Sequence, residues 1–108
     1  MSAMILHVNF RLNVPRAEYE EIASSLAGEF ASLPGLVWKV WLMNEAEGEA
    51  GGTYLFEDEA ALKAYLDGPL AAAVMAHPAL SEITAQPYEV MGDCTAVTRG
   101  PVDRKSVV

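Results

Sequence analysis

The sequence predicts a single α+β domain in which helices cover one face of an antiparallel sheet, and three observations carry that prediction. Residues 4–12 alternate, with Met4, Leu6, Val8, Phe10 and Leu12 on one side and Ile5, His7, Asn9 and Arg11 on the other. A period of two is the signature of a strand. Tyr19, Ile22, Ala23, Leu26, Phe30 and Leu33 recur at helical spacing and make one apolar stripe. Residues 34–56, PGLVWKVWLMNEAEGEAGGTYLF, join two runs of β-branched and aromatic side chains through an acidic, glycine-containing link, which reads as strand, loop, strand.

Taken in order, the first strand presents a wholly apolar face to the helices and a polar face that needs water, a ligand or a partner chain. Pro15 suits a first helical turn, and Glu18, Glu20 and Glu21 follow near the positive end of the helix dipole. Pro34 and Gly35 stop that helix. In the hairpin, residues 36–43 and 53–56 are the strands and Gly51 and Gly52 belong to the link. Trp38 and Trp41 differ in parity, so one points to each face of the sheet and both faces must be at least partly covered. Asp58 caps a second helix in which Ala61, Leu62, Tyr65 and Leu66 face inward. Gly68 and Pro69 break it, residues 70–76 resume it, and Pro78 ends it. Residues 83–91 are the last strand, where Pro87 lacks a ladder donor and argues for an edge position or an outward-facing amide. Residues 92–108 are expected to form a C-terminal arm, loosely ordered or crossing to a partner, with a short helical turn that Asp93 could cap. The order strand, helix, strand, strand, helix, strand is the ferredoxin-like βαββαβ pattern with a four-stranded antiparallel sheet.

Composition narrows the function classes. With 108 residues, 52% of them hydrophobic, the chain has material for one core and no second domain, so residues 1–108 are read as one unit. A net charge of −8 disfavours phosphate backbones and anionic membrane surfaces, which sets nucleic acid and membrane aside as partners. No stretch reaches the roughly 18 apolar residues of a membrane span, and the N-terminus lacks a leader pattern. One cysteine, Cys94, permits no internal disulfide and fits a reducing compartment, so a cytoplasmic protein is expected.

The stretch PGLVWKVW, the acidic loop and GGTYLF resemble the YdhR-like family of putative monooxygenases, small proteins of the dimeric α/β-barrel superfamily. The resemblance is strongest over residues 34–56 and extends more weakly back through residues 6–13 and forward to Val90. Residues after Met91 match poorly. It implies that two sheets meet face to face in a homodimer, forming the dimeric α/β barrel, a pairing that the two-sided hydrophobicity of residues 37–43 independently suits. It further implies a cofactor-independent monooxygenase acting on aromatic or polyketide-like small molecules, and it assigns no residue roles.

The residues themselves offer candidates, each with a plainer explanation beside it. An imidazole's unperturbed pKa lies near neutrality, and His7 shares a strand face with Asn9 and Arg11, so it is the candidate base, with Asn9 or Arg11 stabilising an anion. The plainer reading is a set of polar groups bonding across a dimer interface. Trp38, Trp41, Tyr54 and Tyr65 are candidates to hold a flat substrate, in a cavity left beneath the broken helix, or are simply core. Lys39, between the tryptophans, is read as an interface or rim lysine lying over apolar surface. His7 and His77 lack metal-ligand spacing, and Glu45, Glu47 and Glu49 lack that of a calcium loop. Gly48, Gly51 and Gly52 do not make a phosphate-binding motif, so neither a metal nor a cofactor is expected. Oxygen chemistry then calls for a substrate that donates an electron itself, such as a phenolate or enolate formed in a dry pocket. A non-catalytic small-molecule-binding or structural dimer shares the same fold and pocket, and the sequence leaves both readings open.

Overall fold

The alternation in β1 (Met4–Leu12) places that strand at the centre of the sheet, where a neighbour on each side uses its backbone groups. The structure, a computed structural model, describes residues 3–102. After β1 come α1 (Arg16–Ala31), β2 (Leu36–Asn44), a 3₁₀ turn (Glu45–Glu47) and β3 (Glu49–Phe56). Two short helices, α2 (Glu59–Leu66) and α3 (Pro69–Met75), precede β4 (Leu80–Glu89) and α4 (Gly92–Val97). The strands form one antiparallel sheet in the order β2-β3-β1-β4, the ferredoxin-like α+β fold. Pro87 therefore sits in an edge strand, opposite Leu6.

The two faces differ in kind. Leu6, Val8 and Phe10 of β1 and Ala50, Tyr54 and Phe56 of β3 pack with Tyr19 and Phe30 of α1, Leu62 and Tyr65 of α2 and Ala71 of α3. Each large apolar side chain so buried contributes roughly 1.5–3 kcal/mol relative to exposure. The opposite face carries His7, Asn9 and Arg11 of β1 among exposed residues of β2 and β4. At its Trp38 end the chain returns after α4, and the Trp38 indole Nε1 donates to the Pro101 carbonyl at 2.9 Å. Leu55, the register partner of Trp38, is fully buried there. The C-terminal stretch is thus a short helix and a docked segment as far as Val102, and residues 103–108 lie outside the described residues. No described helix is long and apolar enough to cross a membrane.

The broken second helix has the expected form: the Asp58 carboxylate accepts from the Ala61 amide at 2.8 Å, and Pro69 opens the second piece. Four local expectations change. Gly51 and Gly52 lie inside β3 rather than in the link, because the strand starts at Glu49. Leu66 faces solvent, since the stripe through Leu62 and Tyr65 already fills the inward side of a two-turn helix. β4 begins earlier, at Leu80, across an irregularity where Glu82 takes a φ of 50°, which breaks the alternation visible in sequence. α4 forms without a side-chain cap, so Asp93 does not act as one.

Gly51 is required by close approach: a Cβ there runs into the Val8 carbonyl of the neighbouring strand. Gly28, exposed on α1, has open space around the same position. Gly51→Ala is therefore expected to lose about 1–3 kcal/mol through a strained β1–β3 ladder. Gly28→Ala is expected to gain about 0.5–1 kcal/mol from helix propensity. Urea unfolding of the two variants side by side checks both signs.

Candidate functional site

On β2, Lys39, Trp41 and Met43 share the parity that faces the helices, while Val40 and Leu42 face away. A register irregularity between Leu36 and Trp38 sets that phase. Opposite Trp41 stands Gly52, and opposite Lys39 stands Tyr54. A Cβ on Gly52 would lie 3.1 Å from the Val40 carbonyl oxygen and 3.2 Å from both Lys39 Cε and Tyr54 Cε1, so the bare glycine lets the lysine stem pass close by. The stem carries Nζ inward to 3.4 Å from the centroids of the Phe30 and Trp41 rings and 4.5 Å from that of Tyr54. Phe30, in the last turn of α1, meets Trp41 edge-on at 5.5 Å and Tyr54 at 5.8 Å.

These residues bound a pocket between the sheet and the helices, with Tyr19 and Leu26 of α1, Val74 of α3 and His77 completing its wall. Its free volume, traced by the centre of a water-sized sphere, is about 20 Å³. That is room for about one water. Lys39 makes no ion pair among the described residues, and none of the residues lining the pocket is Asp or Glu. Burial lowers the Lys39 amine from its ordinary 10.5 to about 7. The surrounding ring faces oppose this by favouring the ammonium, by about 2 kcal/mol when desolvated. Lost hydration costs several kcal/mol and wins. Near neutral pH the amine is accordingly divided between its neutral and charged forms.

The pocket's hydroxyls behave differently. Burial raises Tyr54 strongly, and the neighbouring Tyr65 adds to the rise. Burial raises Tyr65 and Tyr19 as well, so all three stay neutral donors across the physiological range. His77 accepts from the Ala79 amide through Nδ1 at 3.1 Å, which leaves the proton of the neutral ring on Nε2.

Of the seven residues singled out from sequence, the structure brings Trp41, Tyr54 and Tyr65 together on the helix side. His7, Asn9, Arg11 and Trp38 lie on the other face of the sheet. There His7 Nδ1 is 3.2 Å from the Thr53 hydroxyl, and Arg11 pairs with Glu49 at 3.6 Å and Glu82 at 3.4 Å. Sequence reasoning did not single out Lys39 and His77 as pocket residues. The signal for Lys39 was available: it is the one charged residue in the apolar parity of β2, and its neighbouring strand offers a glycine. His77 carries no comparable signal, because a turn after a short helix places it.

The family model described as "Putative mono-oxygenase ydhR" matches residues 5–101. The chain belongs to the ydhR family. No curated protein matches the sequence. Among solved structures, this ydhR-family chain is similar to NE2512 of Nitrosomonas europaea, a protein of unknown function, at 25% identity and a TM-score of 0.72, covering 84% of this chain and 91% of that one. It is also similar to SnoaB, a cofactor-independent oxygenase from Streptomyces nogalater, at 21% identity and a TM-score of 0.69 over 83% and 94% of the two chains. A dabb family protein with a ferredoxin-like fold from Mesorhizobium loti matches at 19% identity and a TM-score of 0.69, over 85% and 100%.

The buried amine makes stability depend on pH with a definite sign. The folded value of Lys39, about 7, lies below the ordinary 10.5, so between the two the unfolded chain binds more protons and stability rises with pH. Above the ordinary tyrosine value of 10.0 the raised tyrosines reverse the slope, because the unfolded chain ionises first. Lys39→Met is expected to be more stable than the parent at pH 7 and to lack the rise below pH 10. Urea midpoints measured across that interval check the prediction.

Proposed function

We propose that this chain is a cofactor-independent oxygenase that converts an activated carbon of an aromatic or polyketide-like small molecule to a carbonyl. The observation that carries this reading is the apolar, aromatic-walled pocket with a titratable amine at its centre. Membership of the ydhR family and the fold shared with SnoaB support it. In the reaction, a methylene flanked by rings loses a proton to give a carbanion, which passes one electron to dioxygen. The resulting radical pair joins into a peroxide, which takes up a proton and loses water as the carbonyl forms. One CH₂ and one O₂ thus become one C=O and one H₂O. The protein supplies shape, a dry environment and hydrogen bonds that favour the anion. In the proposal Trp41 and Tyr54 stack on the substrate ring, and Tyr65 fixes the Tyr54 hydroxyl. A ring does not fit the closed cavity, so binding shifts the Lys39 stem, the one long unbranched chain in the pocket, aside while Nζ stays beside the bound ring.

We assign the other face to a homodimer contact. Val40, Leu42 and Tyr88 are 50%, 39% and 53% exposed on the sheet face that also carries His7, Asn9 and Arg11. Apolar area of that kind favours pairing with a second copy. His7, Asn9 and Arg11 then bond across the contact rather than in the pocket. A non-catalytic small-molecule-binding or structural dimer is the second reading, favoured by the cavity's closed volume.

Three measurements test these assignments. In an oxygen electrode without added cofactor, turnover of anthrone-like or hydroquinone-like substrates should consume oxygen, one mole per mole of ketone in the anthrone case. Tight binding of an aromatic ligand with no uptake supports the second reading instead. Trp41→Ala should lose binding and activity, whereas His7→Ala should retain both. Truncating a core tryptophan costs about 3–5 kcal/mol, so the melting temperature of the Trp41 variant is measured alongside. Light scattering at micromolar protein should give the mass of two chains, and a single-chain mass counts against the dimer.

A further inference from the structure

We propose that Lys39 meets the acidic hydrogen of the ligand, so that the pocket selects planar aromatic acids of oxygen or carbon, such as phenols and enols, over their neutral ethers. The proposal deepens the oxygenase reading by naming the base and the substrate class, and it rests on that reading only for placing the ligand in this pocket. Its physical core is a missing counter-ion. Nζ lies among the rings of Phe30, Trp41 and Tyr54, no carboxylate lines the cavity, and Lys39 has no ion-pair partner among the described residues.

The other titratable groups facing the pocket are Tyr19 from α1, Tyr54 from β3 and His77 from the turn before β4, with Tyr65 of α2 behind Tyr54. None of these offers a negative charge, because the tyrosines are held neutral by burial and His77 is neutral or cationic. A charge in an apolar site is tolerated when its opposite is brought in with it. A phenol does this in one step: its O–H bond breaks, the electron pair stays on oxygen, and the proton forms a new N–H bond on the neutral amine. The product is an ammonium beside a phenolate, with no net charge added to the pocket. The rings that flank Nζ are well placed to stack on the anion's own ring. A C–H acid between two rings reacts in the same way, its electron pair delocalising onto the ligand.

The test uses 4-nitrophenol, whose phenolate absorbs in the visible, and 4-nitroanisole, its methyl ether, with the full chain. Binding is followed by tryptophan fluorescence and absorbance at a pH where free 4-nitrophenol is mostly protonated. The parent is expected to bind the phenol at least about tenfold more tightly than the ether and to show the phenolate band in the complex. Lys39→Met, which removes the amine and keeps an unbranched stem one atom shorter, is expected to bind both ligands alike and to show no band. Equal binding by the parent, a phenolate band that survives in Lys39→Met, or no binding of either ligand overturns the proposal. Oxygen uptake is read separately. Selectivity without uptake defeats the oxygenase reading and leaves Lys39 in its role. Uptake whose rate and pH profile are unchanged in Lys39→Met removes Lys39 and leaves the oxygenase reading standing.

Discussion

Phe30 is the contact through which the sheet, the helices and the pocket depend on one another. It is 3% exposed in the last turn of α1 and touches rings from three other elements: Trp41 of β2, Tyr54 of β3 and Tyr65 of α2. Edge-on and tilted ring pairs of this kind add about 0.5–1.5 kcal/mol each beyond the area they bury. They also fix direction, which plain apolar contact does not. Because Phe30 is held on three sides, α1 crosses the sheet at a set height, and the space left beside it is the pocket. The same ring forms one face of the cage around Lys39 Nζ. A change at Phe30 therefore alters core, helix position and site together.

The sheet divides the chemistry of the chain by parity. On β1 the even residues are core and the odd residues His7, Asn9 and Arg11 lie on the opposite face. On β2 the phase is the reverse, so Lys39 and Trp41 are inside and Val40 and Leu42 outside. A group on one face reaches the other only through the backbone ladder. That constraint separates the polar trio of β1 from the aromatic pocket within a single chain. Two of the trio already have partners on their own face, since Arg11 lies between Glu49 and Glu82 and His7 lies beside Thr53.

The fold was legible in the sequence where a pattern is long and regular. Nine alternating residues identified β1, a stripe of about four turns identified α1, and Asp58 with Pro69 fixed the start and the break of the second helical region. It was less legible where a residue's role depends on a neighbour distant in sequence. Gly51 and Gly52 look like turn residues until Val8 and Lys39 are seen to occupy the space their side chains would take. Glu82 gives no local sign of a left-handed backbone, because the bulge is set by how β4 meets β1. The aromatic half of the site was legible as a set of large rings, and the structure divides that set between the two faces. Lys39 was missed because a lysine in a strand is ordinarily a rim residue, and it is Gly52, opposite the next inward residue Trp41, that leaves its stem room to turn inward.

The closeness of the Lys39 stem to Gly52 also bears on why the pocket is built as it is. A methionine fits the same channel, needs no hydration and packs against rings, so stability alone favours it. Instead the chain leaves out a side chain at position 52 and admits an amine into the centre of an apolar cluster, with no carboxylate nearby to neutralise it. Departures from local consistency concentrate where a site has chemistry to perform. Burial lowers the amine to about 7, so that near neutral pH it can both accept a proton and carry a charge. Rings of Phe30, Trp41 and Tyr54 flank it, and in the proposed reading a flat group is what can enter and remain in contact with Trp41 and Tyr54. A second charged side chain would have quenched that property by pairing with the amine permanently. The absence of an acidic residue among the lining residues is thus as much a part of the site as the lysine is.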